Sequence, residues 1–174
     1  GRGPAGWSGD TDGGAYHWRW ISALGGGSLA EGIVHYGDIA LWGAGKETEM
    51  PMSVVGQGEF PRDGVFDTAT SFRFLCTYRD GLELEVADGG RLEKGIGVRW
   101  IGADGAWIWV TRGAIAASAD GLLAGLPPAA LRPVDLRRDF IEAVRDRRPA
   151  CVPPVAAFHA AALGQLGDRA MRGA

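Results

Sequence analysis

The stretch GGGSLAEGIVHYGDIALWG, residues 25–43, is the part of the sequence around which the rest is organised. On a helix that turns about 100° per residue, Glu31, His35 and Asp38 fall on one narrow stripe together with Trp42. The opposite side and the flanks are apolar, so we predict a helix over residues 28–43 that is covered nearly all round. Covering a carboxylate, an imidazole and a second carboxylate costs free energy unless they are paired or have a function. The stripe is therefore the candidate active site.

Two structural explanations of the same residues stand beside the functional one. Ser28 and Glu31 have the S-x-x-E spacing of a capping box, in which both side chains satisfy amides at the start of a helix. His35 and Asp38 lie one turn apart and could satisfy each other as a buried polar pair.

Composition limits the class of protein. The chain has 174 residues, 46% of them hydrophobic, and a net charge of −3, which is typical of one globular domain with a full core. We expect no nucleic-acid partner because there is no basic footprint, and no membrane span because no apolar run is long enough. A cytoplasmic location is the default expectation. Cys76 and Cys151 have no metal-binding or disulfide spacing, so we expect free thiols.

An antiparallel sheet is predicted over residues 52–112. Five segments are predicted to be strands: Met52 to Phe60, Thr70 to Tyr78, Leu82 to Val86, Val98 to Ile101 and Trp107 to Thr111. Alternation is clear in the second and the third of them. Glycine turns at Asp80-Gly81 and Asp104-Gly105 join neighbouring strands into hairpins. Residues 113–132 are predicted to be a crossing loop with a short helical turn. Residues 133–172 are predicted to form C-terminal helices, the first with Leu136, Phe140 and Val144 on one face.

The segment before the glycines is predicted to be an arm or loop over residues 1–24 with a short strand at His17-Trp18-Arg19-Trp20. Trp18 and Trp20 there could simply pack into the core. Because this segment leads directly to the candidate site, His17 and Arg19 are also candidates for the substrate cleft. Trp18, Trp20 and Trp42 offer apolar ring faces to a bound ligand.

Several motifs in order resemble one known family. These are Trp18-Arg19-Trp20, the run from Gly25 to Trp42, residues 105–113 (GAWIWVTRG), and residues 140–149 (FIEAVRDRRP) followed by Cys151 and Pro153. Together they resemble the C-terminal domain of the glucose-fructose oxidoreductase, inositol dehydrogenase and MocA family (Gfo/Idh/MocA), and the resemblance covers nearly the whole chain.

The resemblance implies a single α+β substrate-binding and dimerisation domain over residues 1–174, with a largely antiparallel open sheet and helices packed on one face. It also implies that a Rossmann domain, absent from this chain, binds NAD or NADP. His35 and Glu31 then match the family's catalytic histidine and aspartate, and Asp38 its second aspartate. Glu31 replaces the usual Asp, and Ile33 replaces the usual Gly. Family members commonly dimerise through the sheet face, so a homo-oligomer is expected.

The function implied by this resemblance is half of an NAD(P)-dependent sugar or polyol oxidoreductase, which is not expected to be active alone. No G-x-G-x-x-G follows a strand and opens a helix, so we expect no cofactor bound by this chain alone. His17, His35 and His159 lack metal-ligand spacing, and no metal is expected. A non-catalytic carbohydrate-binding or dimerisation module is the alternative, as is a relative that cleaves glycosides through transient oxidation with NAD.

Overall fold

The computed structural model describes residues 17–124 and 134–173 and has an α+β fold, as predicted. The predicted arm over residues 1–16 and the part of the predicted loop at 125–133 lie outside the described residues. The helices are α1 (Gly27–Ala44), α2 (Leu136–Asp146) and α3 (Pro154–Arg172). The strands are β1 (Ser53–Glu59), β2 (Ser71–Thr77), β3 (Glu83–Ala87), β4 (Val98–Ile101), β5 (Trp107–Thr111) and β6 (Ala114–Ala117).

The strands are antiparallel and divide into two small sheets, β1-β2-β3 and β4-β5-β6. Strand β6 lies in the segment that the sequence predicts to be a crossing loop, and that part of the prediction is wrong. Thr111 pairs with Ala114 around a two-residue turn in which Gly113 has a φ of 82°. The composition of β6, Ala-Ile-Ala-Ala, shows no alternation of polar and apolar side chains, so the pattern gives no sign of the strand.

Residues His17–Trp20 form a single turn of 3₁₀ helix, whereas the sequence predicts a short strand. The Ile21 N–H donates to the Trp18 carbonyl at 3.2 Å, and the Leu24 and Gly25 N–H groups both donate to the Ile21 carbonyl at 2.9 Å. These successive turns satisfy the backbone locally, so the segment winds towards α1 without an extended stretch.

Helix α1 is one residue longer at each end than predicted, and glycines form both of its ends. Its N-cap is Gly26, which has a φ of 76° and makes no side-chain cap hydrogen bond. The predicted capping box is therefore wrong, because Ser28 lies inside the first turn. At the other end, Gly45 has a φ of 66° and its N–H donates to carbonyls of the last turn, as in a common C-cap.

Helices α1 and α3 approach closely because glycines remove side chains at their contact. A Cβ added to Gly164 of α3 would collide with the Leu29 carbonyl oxygen of α1, and one added to Gly37 would lie 3.1 Å from Leu163 Cδ1. A Cβ on Gly167 would meet the ring of Phe74 at 2.5 Å. The helix pair therefore packs with near backbone contact and presses on the sheet.

The core lies between these helices and one face of the first sheet. In β2 and just beyond it, Phe72, Phe74, Cys76 and Tyr78 are buried, as the alternation predicts. The opposite face is largely polar, and Arg73 there pairs with Glu85 of β3 at 2.7 Å. The side chains that complete the buried cluster are Leu29, Ile33, Leu41, Ala69 and Leu163.

The second sheet is attached to α1 through Trp100 of β4. The Trp100 Nε1 donates to the Ala40 carbonyl at 3.3 Å, and its ring fills the space where a Cβ on Gly43 would lie. The strands of this sheet are thereby fixed beside the last turns of α1. Their position brings the turn between β5 and β6 towards the middle of the same helix.

Helix α2 is capped by Asp135, whose side chain accepts hydrogen bonds from the Arg137 and Arg138 backbone N–H groups at 3.2 and 3.1 Å. Among its described residues only Ala143 is buried. The apolar side chains that the sequence places on one face of α2 are exposed, and they are Leu136, Phe140 and Val144.

Candidate functional site

The polar stripe of α1 lies on the surface of the described residues. His35 is exposed, Glu31 and Asp38 are half-buried, and Trp42 is 70% exposed. The expectation that α1 is covered nearly all round is therefore wrong for the residues that the structure describes. Its buried side is formed by the apolar positions at the opposite face, where α3 and the sheet lie.

His35 lines an open cleft with a volume of about 500 Å³. The cleft is bounded by α1, the end of β5 with the turn that follows it, and the beginning of α3. Its polar lining residues are His35, Tyr36, Asp38, Thr111 and Arg112, and the remaining wall is apolar. An apolar cleft with a few converging polar groups is the usual form of a small-molecule site.

His35 and Asp38 line this cleft together, as the helical spacing predicts. Within the described residues no hydrogen bond or ion pair joins them, and His35 is exposed. The alternative of a buried structural pair is therefore wrong. Neither side chain has an internal partner among the described side chains. The imidazole of His35 and the carboxylate of Asp38 can therefore both contact a ligand in the cleft.

Glu31 takes part in a different contact. Its Oε1 lies 2.7 Å from Arg19 Nε, and it is not among the residues that line the described cleft. The 3₁₀ turn at His17–Trp20 lies against the first turn of α1, so the nearest cation to this carboxylate comes from that turn rather than from His35. Glu31 is thus positioned to hold Arg19 in place.

The predicted substrate-binding residues other than Trp42 lie near Arg19. His17 packs edge-on against Phe66 with ring centroids 5.8 Å apart, and the Arg19 guanidinium lies 5.9 Å from the centroid of Trp18. The Trp20 carbonyl accepts a hydrogen bond from the Asp67 N–H at 3.1 Å. The described cleft of His35 is not lined by any residue of the turn, which comprises His17, Trp18, Arg19 and Trp20. The structure therefore separates the predicted site into two parts along α1.

Asp67 holds the segment that leads from this turn to α1. Its carboxylate accepts hydrogen bonds from the Ser22 hydroxyl and the Ser22 N–H, both at 2.6 Å. These two bonds lower the pKa of Asp67 below its ordinary value. The Arg172 guanidinium donates to the Asp67 carbonyl at 2.8 Å, which joins the end of α3 to the same segment.

The described residues show no cluster of three or more His, Cys, Asp or Glu side chains that could bind a metal ion. His159 has a structural contact, because its Nδ1 lies 2.7 Å from the Val155 carbonyl oxygen one turn earlier in α3. No helix among the described residues has the length and apolar character needed to cross a bilayer.

Tyr36, Thr111 and Arg112 are the polar cleft residues that the sequence pattern does not single out. Thr111 and Arg112 lie inside the GAWIWVTRG motif, which contributes to the family resemblance but carries no spacing that assigns a role. Thr111 and Arg112 reach His35 only through tertiary structure, because β5 pairs with its neighbours and Trp100 of β4 packs on α1.

Comparison with known proteins shows similarity at the level of structure. No protein-family profile matches the chain, and a sequence search of curated proteins finds no match either. GenD2 from gentamicin A biosynthesis, in complex with NAD, matches with a TM-score of 0.55, 16% identity, and coverage of 89% of this chain and 49% of GenD2. The aldose-aldose oxidoreductase from Caulobacter crescentus, complexed with glycerol, matches with a TM-score of 0.53, 19% identity, and coverage of 90% and 49%.

A protein described as an oxidoreductase from Erwinia carotovora atroseptica matches with a TM-score of 0.52 and 14% identity, over 88% of this chain and 50% of its own. The chain shares the fold of about half of each of these structures, as expected from its resemblance to a C-terminal domain of the Gfo/Idh/MocA family. The chain spans about half the length of the structures it matches. At these identities the likeness establishes the fold, and it confirms the resemblance that the motifs predict.

Proposed function

We propose that this chain is the substrate-binding and proton-transferring half of an NAD(P)-dependent sugar or polyol oxidoreductase. The observation that carries the proposal is the position of His35, exposed in the wall of a cleft on a helix whose other side is packed in the core. The complexes of two structural neighbours, GenD2 with NAD and the aldose-aldose oxidoreductase with glycerol, support this class of ligand.

In this proposal His35 acts on the proton of the reacting hydroxyl. During oxidation of an alcohol its neutral imidazole accepts the hydroxyl proton, and during reduction its imidazolium returns a proton to the carbonyl oxygen. Asp38, on the same wall, stabilises the positive charge that the ring acquires. Glu31 serves indirectly by holding Arg19 at the start of α1.

The glycine loop before α1 does not fit a dinucleotide phosphate. A Cβ on Gly25 would lie 2.6 Å from Arg19 Cα, and one on Gly27 would lie 2.6 Å from Thr68 Oγ1. These glycines therefore admit the chain's own residues, whereas a phosphate cradle needs open space before the helix. The chemistry proposed for the described residues is accordingly proton transfer, with NAD or NADP held by a Rossmann domain outside this chain.

The substrate surface proposed here extends from the cleft along α1. Trp42, one turn beyond Asp38, exposes a large ring that suits the C–H faces of a sugar. His17, Trp18, Arg19 and Trp20 contribute at the other end, near the first turn of α1. A sugar or polyol has the alternating hydroxyl and C–H surface that such a mixture of rings and charges binds.

A homo-oligomer through the sheet is part of the same proposal. On one face of the second sheet the register aligns Ile101 with Trp107 and Arg99 with Trp109. Ile101 is 61% exposed, and Trp107 and Trp109 beside it are half-buried, so this face offers apolar side chains to a partner. A second copy of the chain is the occupant that we propose for it.

The proposed function is tested by replacing His35 in the longest natural reading frame that contains this chain. The activity measured is NAD or NADP reduction over a panel of sugars and polyols, with His159→Ala as the matched control. General acid–base catalysis contributes about 10²–10⁴-fold, so His35→Ala should lower kcat by at least about a hundredfold while the control stays within a few-fold. Turnover of His35→Ala within about tenfold of the parent enzyme would remove His35 from the mechanism.

A non-catalytic carbohydrate-binding module is the second candidate. The observation in its favour is that Glu31, which stands where the family has a catalytic aspartate, is engaged by Arg19 and does not line the cleft. The sequence upstream of this chain separates the two. A strand, a glycine-rich turn and a helix there, followed by a Glu-Lys-Pro element, support the enzyme, and an unrelated domain supports the module.

A further inference from the structure

The turn between β5 and β6 is a rigid support for Arg112. Thr111 and Ala114 pair on either side of it, and Gly113, the second residue of the turn, has a φ of 82°, which favours glycine as in a type II turn. Strand β5 is also paired with β4, which is fixed to α1 through Trp100. Arg112 therefore reaches the cleft of His35 from a strand end whose position is set on both sides.

The guanidinium of Arg112 has no ion-pair partner among the described residues. It is exposed and lines the same cleft as Asp38, yet no salt bridge joins the two. Elsewhere in the described chain arginines near carboxylates do pair, as Arg73 does with Glu85 at 2.7 Å. Because Arg112 is exposed on the wall of the cleft, its guanidinium is accessible to an anionic group of a ligand that enters there.

The two walls of the cleft differ in charge. The β5–β6 wall carries the cation of Arg112 beside the Thr111 hydroxyl, and the α1 wall carries the carboxylate of Asp38 beside His35 and the Tyr36 hydroxyl. A ligand with one anionic end is attracted to the first wall and repelled from the second. Its hydroxyl groups are then directed to His35, which is the orientation that proton transfer needs.

We infer that Arg112 is a specificity-determining residue that selects substrates with an anionic group, either a sugar acid or a phosphorylated sugar. The planar guanidinium binds a carboxylate or a phosphate through two parallel N–H···O bonds, which an uncharged hydroxymethyl group cannot accept in the same way. This inference rests on the proposed function of the cleft and specifies which members of the sugar and polyol class it takes.

Binding to the isotope-labelled full chain, followed by heteronuclear NMR, tests the inference without requiring turnover. The ligands are glucuronate and gluconate for the carboxylate source, glucose 6-phosphate for the phosphate source, and glucose and inositol as neutral references. The imidazole signal of His35 reports occupancy of the cleft, and the chain has only three histidines to assign. Acetate and inorganic phosphate alone measure binding of the bare anion.

At least one anionic sugar should shift the His35 signal with a Kd about fivefold lower than that of glucose, the factor that a favourable ion pair to an exposed arginine supplies. Arg112→Gln should remove the difference, and Arg112→Lys should keep part of it. Arg62→Gln, a change at an exposed arginine of the β1–β2 connection, should leave it intact. The carboxylate and phosphate arms show which anionic group is taken.

Any of four results would overturn the inference. Two concern the sugars: neutral sugars that bind as tightly as anionic ones, or no shift at His35 with any anionic sugar. The others are an anion preference unchanged in Arg112→Gln, and acetate and phosphate that bind as well as the anionic sugars. These outcomes are distinct from failure of the proposed function, which is decided by the turnover of His35→Ala. If neutral sugars shift the His35 signal with the same Kd as anionic sugars, Arg112 does not select the substrate, and the proposed role of His35 in proton transfer is unaffected.

Discussion

The close contact between α1 and α3 holds the histidine-bearing helix in place, and Gly164→Ala tests it directly. The added methyl group would collide with the Leu29 carbonyl oxygen, which belongs to the backbone and cannot rotate away as a side chain could. Overpacking of this kind costs about 1–3 kcal/mol. The replacement of a helical glycine by alanine returns about 0.5–1 kcal/mol. We expect a net loss of about 1–2 kcal/mol in the free energy of unfolding.

Gly32→Ala is the matched control, because Gly32 is also helical and a Cβ there meets no atom within 4 Å. It should gain about 0.5–1 kcal/mol, so the two variants should differ by the overpacking cost alone, about 1–3 kcal/mol. For a chain of this size each kcal/mol corresponds to about 2–4 °C in Tm. Urea unfolding followed by circular dichroism measures both values. If Gly164→Ala is as stable as the parent while Gly32→Ala is stabilised as expected, the two helices do not make this backbone contact.

Two further predictions concern titratable groups. The hydrogen bonds from Ser22 lower the pKa of Asp67 in the folded state, so its carboxylate contributes stability that is present above the unfolded pKa and is lost as the pH falls through the folded pKa. In a plot of the urea midpoint against pH, Asp67→Asn should therefore reduce the fall in stability on the acid side. An unchanged fall would contradict this. Burial raises the pKa of Cys76 to about 12, whereas Cys151 is exposed. At about pH 8 only the thiol of Cys151 should react with a thiol-specific reagent in the native chain, because a buried neutral thiol is inert. In urea both thiols should react. Fast reaction of both in the native state would show that Cys76 is not enclosed.

The candidate site illustrates how local and distant contacts combine. Three residues of the cleft, His35, Tyr36 and Asp38, come from one helix, so their relative placement depends only on helical geometry. Thr111 and Arg112 come from a hairpin more than seventy positions later in the chain. The proton-transfer proposal depends on the first group, and the inferred preference for anionic substrates depends on the second.

Periodicity in the sequence is sufficient for the elements whose pattern is local. The 3.6-residue repeat places Glu31, His35 and Asp38 on one stripe of α1, and the two-residue repeat of β2 places Phe74 and Cys76 in the core. Both patterns arise from backbone geometry within a few residues, so they can be read without knowledge of the partners. The order of the motifs also identifies the α+β fold that the structural neighbours share.

Tertiary structure decided which neighbour each of those side chains meets. Glu31 pairs with Arg19 instead of capping its helix, β6 forms because β5 offers it an edge, and Arg112 reaches the cleft of His35 through the sheet. These outcomes depend on contacts between residues far apart in the chain, and such contacts are set by the shape of the packed core. Helical and strand repeats describe which face a residue occupies, and only the assembled core determines what lies opposite that face.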